Sequence, residues 1–406
     1  MKIVDLRART VAIPTRGMLR HNTGVHPGYL MRTVLELVTD EGITGLGEVG
    51  GGDQRGALLK LKPRVVGLSP WDLETVKLRT LRSIYYLSNA RLYGALEIAC
   101  LDIQGKAAGV PFHRLLGGKV RDEVPLIAYL FWRYDRPGGG DDARAEDLAD
   151  HCEELHRTLG VKAMKLKAGV LAPEEEARVL ELCRERLGGG FGLRIDPNGV
   201  WSVPTAVRIG RRLEGLGLEY FEDPAWGLEG MRAVRQQVRI PLATNMYPNR
   251  FDDLGPAIRL GCVDIILTDL HYWEGPRGVK DLCAVCRTFN LGVAMHSGAE
   301  FGVELAAMLH TASTEATGPA AFPRSPPLKA IRRKRWSSFG SAAYSVHQAT
   351  STAQAAAEAK RTADRVAVFM SVPPYLLRAP GGIQGRQRPP TTGCQPGRRG
   401  SSWNRA

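Results

Sequence analysis

Nothing in this sequence supplies a covalent frame. Its seven cysteines are scattered and odd in number, which excludes a set of paired structural disulfides, and a chain of 406 residues does not need one. The one CxxC, Cys283 and Cys286, lies in a stretch of helical spacing from Val279 to Phe289 without a second Cys or His pair, so it reads as a core-facing helix edge. No run approaches the roughly 18 apolar residues of a membrane span. The opening Met1-Lys-Ile-Val-Asp-Leu-Arg7 lacks the apolar core of a signal peptide, so a cytoplasmic protein with no membrane partner is expected. Most of the chain also lacks net charge. The formal +13 resides almost wholly after residue 313, where 15 Lys and Arg face 3 acidic residues, leaving 40 basic and 39 acidic residues over 1–313. A field argument for nucleic acid applies only to that last segment, whose Arg residues have few aromatics between them and form no recognisable module, and no nucleic-acid partner is expected.

What is present is a ladder. Short apolar runs end in a polar residue at Lys167, Asp196, Glu222, Asn245, Asp269 and His296, at intervals of 29, 26, 23, 24 and 27 residues. One βα unit of an eightfold barrel takes roughly 30 residues, and such barrels place functional groups at the carboxyl ends of their strands. The spacing therefore predicts an α/β fold, a TIM-like (β/α)-barrel, with six successive strand ends facing one site. An earlier run, Val124 to Phe131, predicts one more strand, ending near Tyr129. Helical spacing falls between the runs, at Pro173 to Arg186, Val203 to Leu213, Glu229 to Val238 and Gly302 to Thr311.

The first residues predict a separate α+β layer. Strands are expected near Ile3–Ile13, Met31–Val38 and Ile43–Val49, the last two joined across Asp40-Glu41-Gly42. Gly45-Leu-Gly-Glu-Val-Gly50 matches GxGxxG, but it opens no helix within a βαβ unit and is not read as a dinucleotide site. A polar loop runs from Arg20 to Gly28, and an amphipathic helix through Leu92, Leu96, Ala99 and Ile103 is expected to end near Gly105. The expected division is a capping domain at 1–118, a barrel at 119–313 and an atypical basic tail at 314–406. The eighth strand finds no recognisable sequence. The tail is Pro-, Gly- and Arg-rich, with an Ala-rich stretch at Ala353–Val368 and a final part expected to be disordered. Out-of-frame translation of the original ending is favoured over divergence, and residues such as Ala320 to Leu328 are a candidate improvised strand.

Each ladder residue has a plain reading by itself: Asp196-Pro-Asn-Gly199 is a turn signal, and Glu222 or Asn245 could cap a helix. Together they describe a site. Asp196, Glu222 and Asn245 on adjacent strands offer three hard oxygen ligands, which suits Mg²⁺ with positions left for water and substrate. Lys165 and Lys167 share one strand face on one flank. On the other, Asp269 can orient His296 and raise its basicity. A cation between two opposed bases suggests abstraction of a proton next to a carboxylate.

These residues carry a resemblance. Lys165-x-Lys167, Asp196-Pro-Asn-Gly, Glu222-Asp-Pro, Ala243-Thr-Asn245-Met, Asp269 followed by His271-Tyr-Trp, and His296-Ser resemble the enolase superfamily, of the mandelate racemase and muconate lactonizing enzyme type. Asn245 as third ligand makes the chain most similar to the glucarate dehydratase subgroup. The resemblance spans roughly 1–313 and implies an α+β capping domain over a (β/α)-barrel, acting as an Mg²⁺-dependent dehydratase on a small sugar-acid substrate. It implies Asp196, Glu222 and Asn245 as metal ligands, with Lys167 and the His296–Asp269 pair as bases on opposite faces. Lys165 would hold the carboxylate and depress the pKa of Lys167, and His296 would help the β-hydroxyl depart. His21, Asn22 and His26 on the capping loop, with Tyr129, Asn198 and Ser297, would contact substrate, and a homo-oligomer is expected.

The chain departs from the pattern at Gly298-Ala299-Glu300, at Leu270 after Asp269, and after Ser313, where the basic group expected near a distal carboxylate finds no match. A racemase or epimerase of the same superfamily is the alternative activity. A catalytically impaired protein with a nucleic-acid-binding tail is the alternative outside it.

Overall fold

The structure, a computed structural model, describes residues 1–84, 87–136 and 139–315. The candidate eighth strand, the Ala-rich stretch and the Gly, Pro and Arg-rich end lie outside the described residues.

The chain opens with β1 (Ile3–Pro14), β2 (Met18–His21), β3 (Gly24–Val25), β4 (Tyr29–Thr39) and β5 (Thr44–Val49). An antiparallel sheet of order β1-β4-β5 forms as expected, and Gly42, at φ +78°, makes the β4–β5 turn by donating its N–H to the Thr39 carbonyl at 3.1 Å. The polar loop is more ordered than its composition suggests: β2 pairs with β3, Arg20 with Val25 and His21 with Gly24. Helices α1 (Arg55–Val65), α2 (Leu73–Thr80), α3 (Ala90–Ala108) and α4 (Phe112–Leu115) follow, with β6 (Arg82–Ile84) and β7 (Leu87–Ser88) between α2 and α3.

The GxGxxG glycines serve packing. A Cβ at Gly45 would stand 2.1 Å from the Ala99 carbonyl oxygen, and one at Gly47 would stand 2.1 Å from that of Ala95, so bare backbone lets α3 lie directly on β5. Gly47→Ala is expected to cost about 2 kcal/mol or more of unfolding free energy by overpacking, read from the urea midpoint. The end of α3 corrects the sequence reading. Gly105 sits inside the helix, where its missing Cβ makes room for the Val110 carbonyl 2.9 Å away, and the stop is Gly109 at φ +66°.

From β8 (Ala128–Leu130) and β9 (Arg133–Tyr134) the chain alternates helix and strand: α5 (Ala145–Leu159), β10 (Ala163–Lys167), α6 (Pro173–Leu187), β11 (Gly192–Asp196), α7 (Val203–Leu213), β12 (Tyr220–Glu222), α8 (Gly227–Arg235), β13 (Leu242–Thr244), α9 (Phe251–Leu260), β14 (Ile265–Thr268), α10 (Gly275–Thr288), β15 (Gly292–Met295) and α11 (Gly302–Ser313). Seven strands form one curled parallel sheet in chain order, β8-β10-β11-β12-β13-β14-β15, the expected barrel architecture without an eighth strand among the described residues. The strand predicted over Val124–Phe131 shrinks to Ala128–Leu130, the only residues that pair with β10; an apolar run does not say how much of itself finds a partner. Likewise α8 ends at Arg235, three residues before the expected Val238. The two ends of this segment meet, since the Val120 and Arg121 amides donate to the Ser313 carbonyl at 2.8 and 3.3 Å.

Register places the chemistry. Lys165 pairs with Arg194, Lys167 with Asp196, and Arg194 with Tyr220, so these side chains share the inner face of the sheet with Glu222. Tyr220, Ala243, Ile265 and Leu267 form a small buried cluster there, while Trp132, Leu166, Ile195, Phe221 and Trp273 belong to the larger core between sheet and helices. Cys283 and Cys286 are both buried on α10, as read.

Where α3 meets α10, Glu97 is almost wholly enclosed. It accepts the Tyr93 hydroxyl at 2.8 Å and the Arg277 backbone N–H at 3.0 Å, yet burial pushes its carboxyl up to about 7. A carboxyl raised in the folded state favours the protonated form, so its contribution is fully present below the unfolded value near 4.5 and is lost as pH rises through about 7. Stability is therefore expected to fall by about 3 kcal/mol between those limits from this group. Glu97→Gln removes that slope in denaturant melts taken across the range, whatever its effect at a single pH.

Candidate active site

The polar ladder converges as its spacing predicts. Lys167 and Asp196 end β10 and β11, Glu222 ends β12, and Asn245, Asp269 and His296 each follow the last residue of β13, β14 and β15. The Lys167 ammonium donates to Asp196 Oδ2 at 2.6 Å, and Lys165 donates to Glu222 Oε2 at 2.7 Å while standing 3.7 Å from Asp196 Oδ2. His296 Nδ1 faces Asp269 Oδ2 at 3.3 Å, and its Nε2 stands 2.9 Å from Asn245 Nδ2. The Asp269 carboxylate is fixed from behind, because Oδ1 accepts the His271 and Tyr272 amides at 2.9 and 2.8 Å. The two lysines and the imidazole thus flank the carboxylates from opposite sides of the strand row.

Burial governs the charges. Asp196 and Glu222 have no exposed surface, and Lys165 and Lys167 are about 4% and 5% exposed. Burial raises the Glu222 carboxyl, and the nearby Asp196 charge raises it further. Asp223 is raised for the same two reasons. Burial also opposes ionisation of Asp196, but Lys167 and Lys165 outweigh it and hold its carboxyl down. For Lys167 the Lys165 charge acts in the direction the resemblance implies, but it is not the largest influence. Burial works against its ammonium and Lys165 repels it, but the Asp196 carboxylate at hydrogen-bond distance outweighs both, and the group lies above the ordinary lysine value.

The oxygens fit a hard cation. Glu222 Oε1 and Asn245 Oδ1 are buried without a hydrogen-bond partner, an expensive state that a cation relieves. Carboxylate oxygens of Asp196, Glu222 and Asp223 lie within 4.8 Å of one another. Asp223 competes for third ligand by position, but its oxygens are engaged by the Thr244 hydroxyl and the Asn245 N–H, so it shapes the turn while Asn245 keeps a free oxygen. Sequence reading gave Asp223 no task; Glu222-Asp-Pro contained it without marking it as different from a turn residue.

The remaining predicted residues divide. A cavity of about 1110 Å³ is lined by His21, His26, Tyr129, Lys165, Lys167, Asn198, Asn245, His296 and Ser297 among others. His21 and His26 project from the β2–β3 hairpin with ring centroids 6.1 Å apart, and His21 is lowered to about 4 by burial and by Lys167. The hairpin is tied to the barrel segment because β2 pairs with β9, two residues beyond the end of β8, Met18 to Tyr134 and Leu19 to Arg133. Tyr129 lies beneath the lysines, its ring centroid 4.6 Å from Lys165 Nζ and 5.8 Å from Lys167 Nζ. Asn198 anchors its N–H on Asp196 Oδ1 at 2.8 Å and leaves its own Oδ1 buried and unpaired. The Ser297 hydroxyl is committed to Glu300 at 2.8 Å. Asn22 is not among the cavity-lining residues; its Oδ1 is buried without a partner, and a Cβ on Gly169 would lie 3.4 Å from its own Cβ.

A family model described as "Enolase C-terminal domain-like" matches residues 147–327, and one described as "Mandelate racemase / muconate lactonizing enzyme, N-terminal domain" matches residues 23–117. The protein named "Probable glucarate dehydratase" of Streptomyces coelicolor is 38% identical over 328 residues, covering 73% of this chain and 75% of its own length. The chain belongs to the enolase superfamily. Within that superfamily it is of the glucarate dehydratase-like subgroup. Two crystallised members are similar in structure. The enolase of Thermobispora bispora, complexed with magnesium and formate, is 37% identical with a TM-score of 0.71, covering 80% of this chain and 81% of that one. The enolase of Mycobacterium smegmatis, complexed with tartrate, is 37% identical with a TM-score of 0.72, covering 79% of each chain. Members of the superfamily with assigned activities are enzymes, and no helix among the described residues of this member is long and apolar enough to cross a membrane.

Proposed function

We propose that this chain is a magnesium-dependent dehydratase of acid sugars. The observation that carries the reading is the opposition of two proton-transfer groups, Lys167 and the His296–Asp269 pair, across a cluster of buried oxygens two of which lack partners. Likeness to the relative named a glucarate dehydratase supports the substrate class, and tartrate in a crystallised relative is a small hydroxy diacid of the same kind. Asp196, Glu222 and Asn245 would hold Mg²⁺, with Asp223 fixing the Asn245 turn. When bound, the ion supplies Lewis-acid stabilisation of the negative charge that a substrate carboxylate takes up as its α-carbon loses a proton.

The residues do the rest. Lys165 pairs with a metal-ligand carboxylate in the absence of substrate and is placed to hold the substrate carboxylate in its presence. Lys167 or His296, according to the configuration at the α-carbon, removes the α-proton. The C–H electrons form a carbon–carbon double bond, the β-carbon–oxygen bond breaks, and His296 supplies the proton with which the hydroxyl leaves as water. Tautomerisation of the enol gives a 2-keto-3-deoxy acid. Asp269 orients the imidazole and stabilises its charged form. His21 and His26 cover the site from the capping layer, where residues 1–118 form the cap and 119–313 carry the chemistry.

The test is product analysis on a panel of aldaric and aldonic acids with Mg²⁺ in D₂O. Dehydration gives a 2-keto acid with deuterium at the adjacent carbon. Exchange of the α-proton without a keto product contradicts the dehydratase and leaves racemisation, which two opposed bases also permit.

A further inference from the structure

The turn after β15 is held by a row of ionisable side chains that reaches back into the capping sheet. Glu300 accepts the Ser297 hydroxyl at 2.8 Å and the Gly298 N–H at 2.7 Å, fastening the two residues that follow His296. Its Oε1 stands 3.4 Å from His271 Nε2, and the other ring nitrogen, Nδ1, stands 3.1 Å from Glu304 Oε1. The second oxygen of Glu304 pairs with Arg32 of β4, whose Nε donates to Glu48 of β5 at 2.7 Å. Glu48 in turn accepts the amides of Phe301, Val303 and Glu304 at 2.8, 3.1 and 3.2 Å, at the start of α11. Each of the five residues is no more than 4% exposed.

The order of charges has a logic. His271 stands between Glu300 and Glu304, and Arg32 between Glu304 and Glu48, so acidic and basic residue types alternate along the row. A buried series of this kind is favourable only with every member present, because loss of one leaves its neighbours desolvated and unpaired. The row also touches the reacting groups twice. Glu300 fixes the residues after His296, and the His271 backbone N–H donates to the Asp269 carboxylate that faces the imidazole. Arg32 Nη1 adds a contact of 3.5 Å to the Gly298 carbonyl.

We propose that Glu300 and His271 are positioning residues for His296, and that the row from Glu48 to Glu300 couples the seating of the capping sheet to the place of that imidazole. The role rests on the reading of His296 as a base; the coupling does not.

Amide hydrogen exchange of the full chain, read by mass spectrometry over residues 296–304, tests it. Arg32→Met is expected to speed exchange at Gly298 and Ala299 by about tenfold or more, the loss of a charged hydrogen bond, although Arg32 belongs to the other layer. Exchange that rises only at Phe301 to Glu304, with Gly298 unchanged, would overturn the coupling. Should Arg32→Met fail to fold, the near-isosteric Glu300→Gln reads the row from its other end: faster exchange of the Phe301, Val303 and Glu304 amides is expected, and a change confined to Gly298 overturns it. With D-glucarate as probe, Glu300→Gln should lower kcat about tenfold while KM and the Mg²⁺ dissociation constant stay put; a loss of Mg²⁺ affinity instead would make Glu300 merely structural. If the unmodified chain turns over no acid sugar yet the exchange coupling is found, the proposed activity falls and the coupling stands.

Discussion

His296→Asn is expected to lower acid-sugar dehydration by a factor of about 10² to 10⁴, the range for loss of a positioned acid–base group. The effect should depend on the α-carbon. His296 and Lys167 approach the oxygen cluster from opposite sides, His296 through the Asn245 amide nitrogen and Lys167 through the Asp196 carboxylate. His296→Asn should therefore lower dehydration by that factor for either configuration but leave α-deuterium exchange for the configuration whose proton faces Lys167. Lys167→Ala should do the reverse for exchange. Loss of exchange for both configurations in either variant would mean that one group serves both faces.

The second large effect concerns the ligands. Glu222→Gln is expected to weaken Mg²⁺ binding by at least about 100-fold, since it removes a charge and one of two unpartnered buried oxygens, and turnover should vanish with it. Asp223→Asn is the contrasting case. Its carboxylate is already committed to the Thr244 hydroxyl and the Asn245 N–H, so its loss should lower stability by about 1 to 3 kcal/mol through the broken turn and weaken Mg²⁺ binding less than Glu222→Gln does. Isothermal titration with Mg²⁺ beside urea melts separates the two. Equal losses of affinity would place Asp223 in the coordination shell.

The ladder was legible in the sequence because a barrel strand hides its middle and shows its end, so an apolar run followed by Asp, Glu, Asn or His states both the architecture and the address of the site. Period-two alternation put Lys165 and Lys167 on one face, and both are found bonded to the oxygen cluster. Lengths were less legible. Val124 to Phe131 is apolar throughout, but only Ala128 to Leu130 meets a neighbour, and pairing belongs to the partner strand as much as to the run itself. The stop of α3 was misplaced at Gly105 because a helix-interior glycine that admits another backbone looks, in sequence, like a helix-ending one.

The balance of charges at Lys167 was hidden for a different reason. Like-charge proximity to Lys165 is visible two residues away, whereas the Asp196 contact that outweighs it depends on strand register. The ion row was beyond reach altogether: Arg32 and Glu304 are 272 residues apart, and no local pattern marks either. Gly298-Ala299-Glu300 registered only as a departure from the family pattern, and its meaning emerges from what Glu300 holds.

The proposed chemistry needs one cation site between two opposed bases. A crystal structure of the chain grown with Mg²⁺ and soaked with tartrate tests it most directly. The expected result is a single ion on Asp196, Glu222 and Asn245, with the diacid against it and Lys167 and His296 on opposite sides of its α-carbon. An ion held by Asp223 with Asn245 turned away, or a diacid that contacts only one of the two bases, would contradict it.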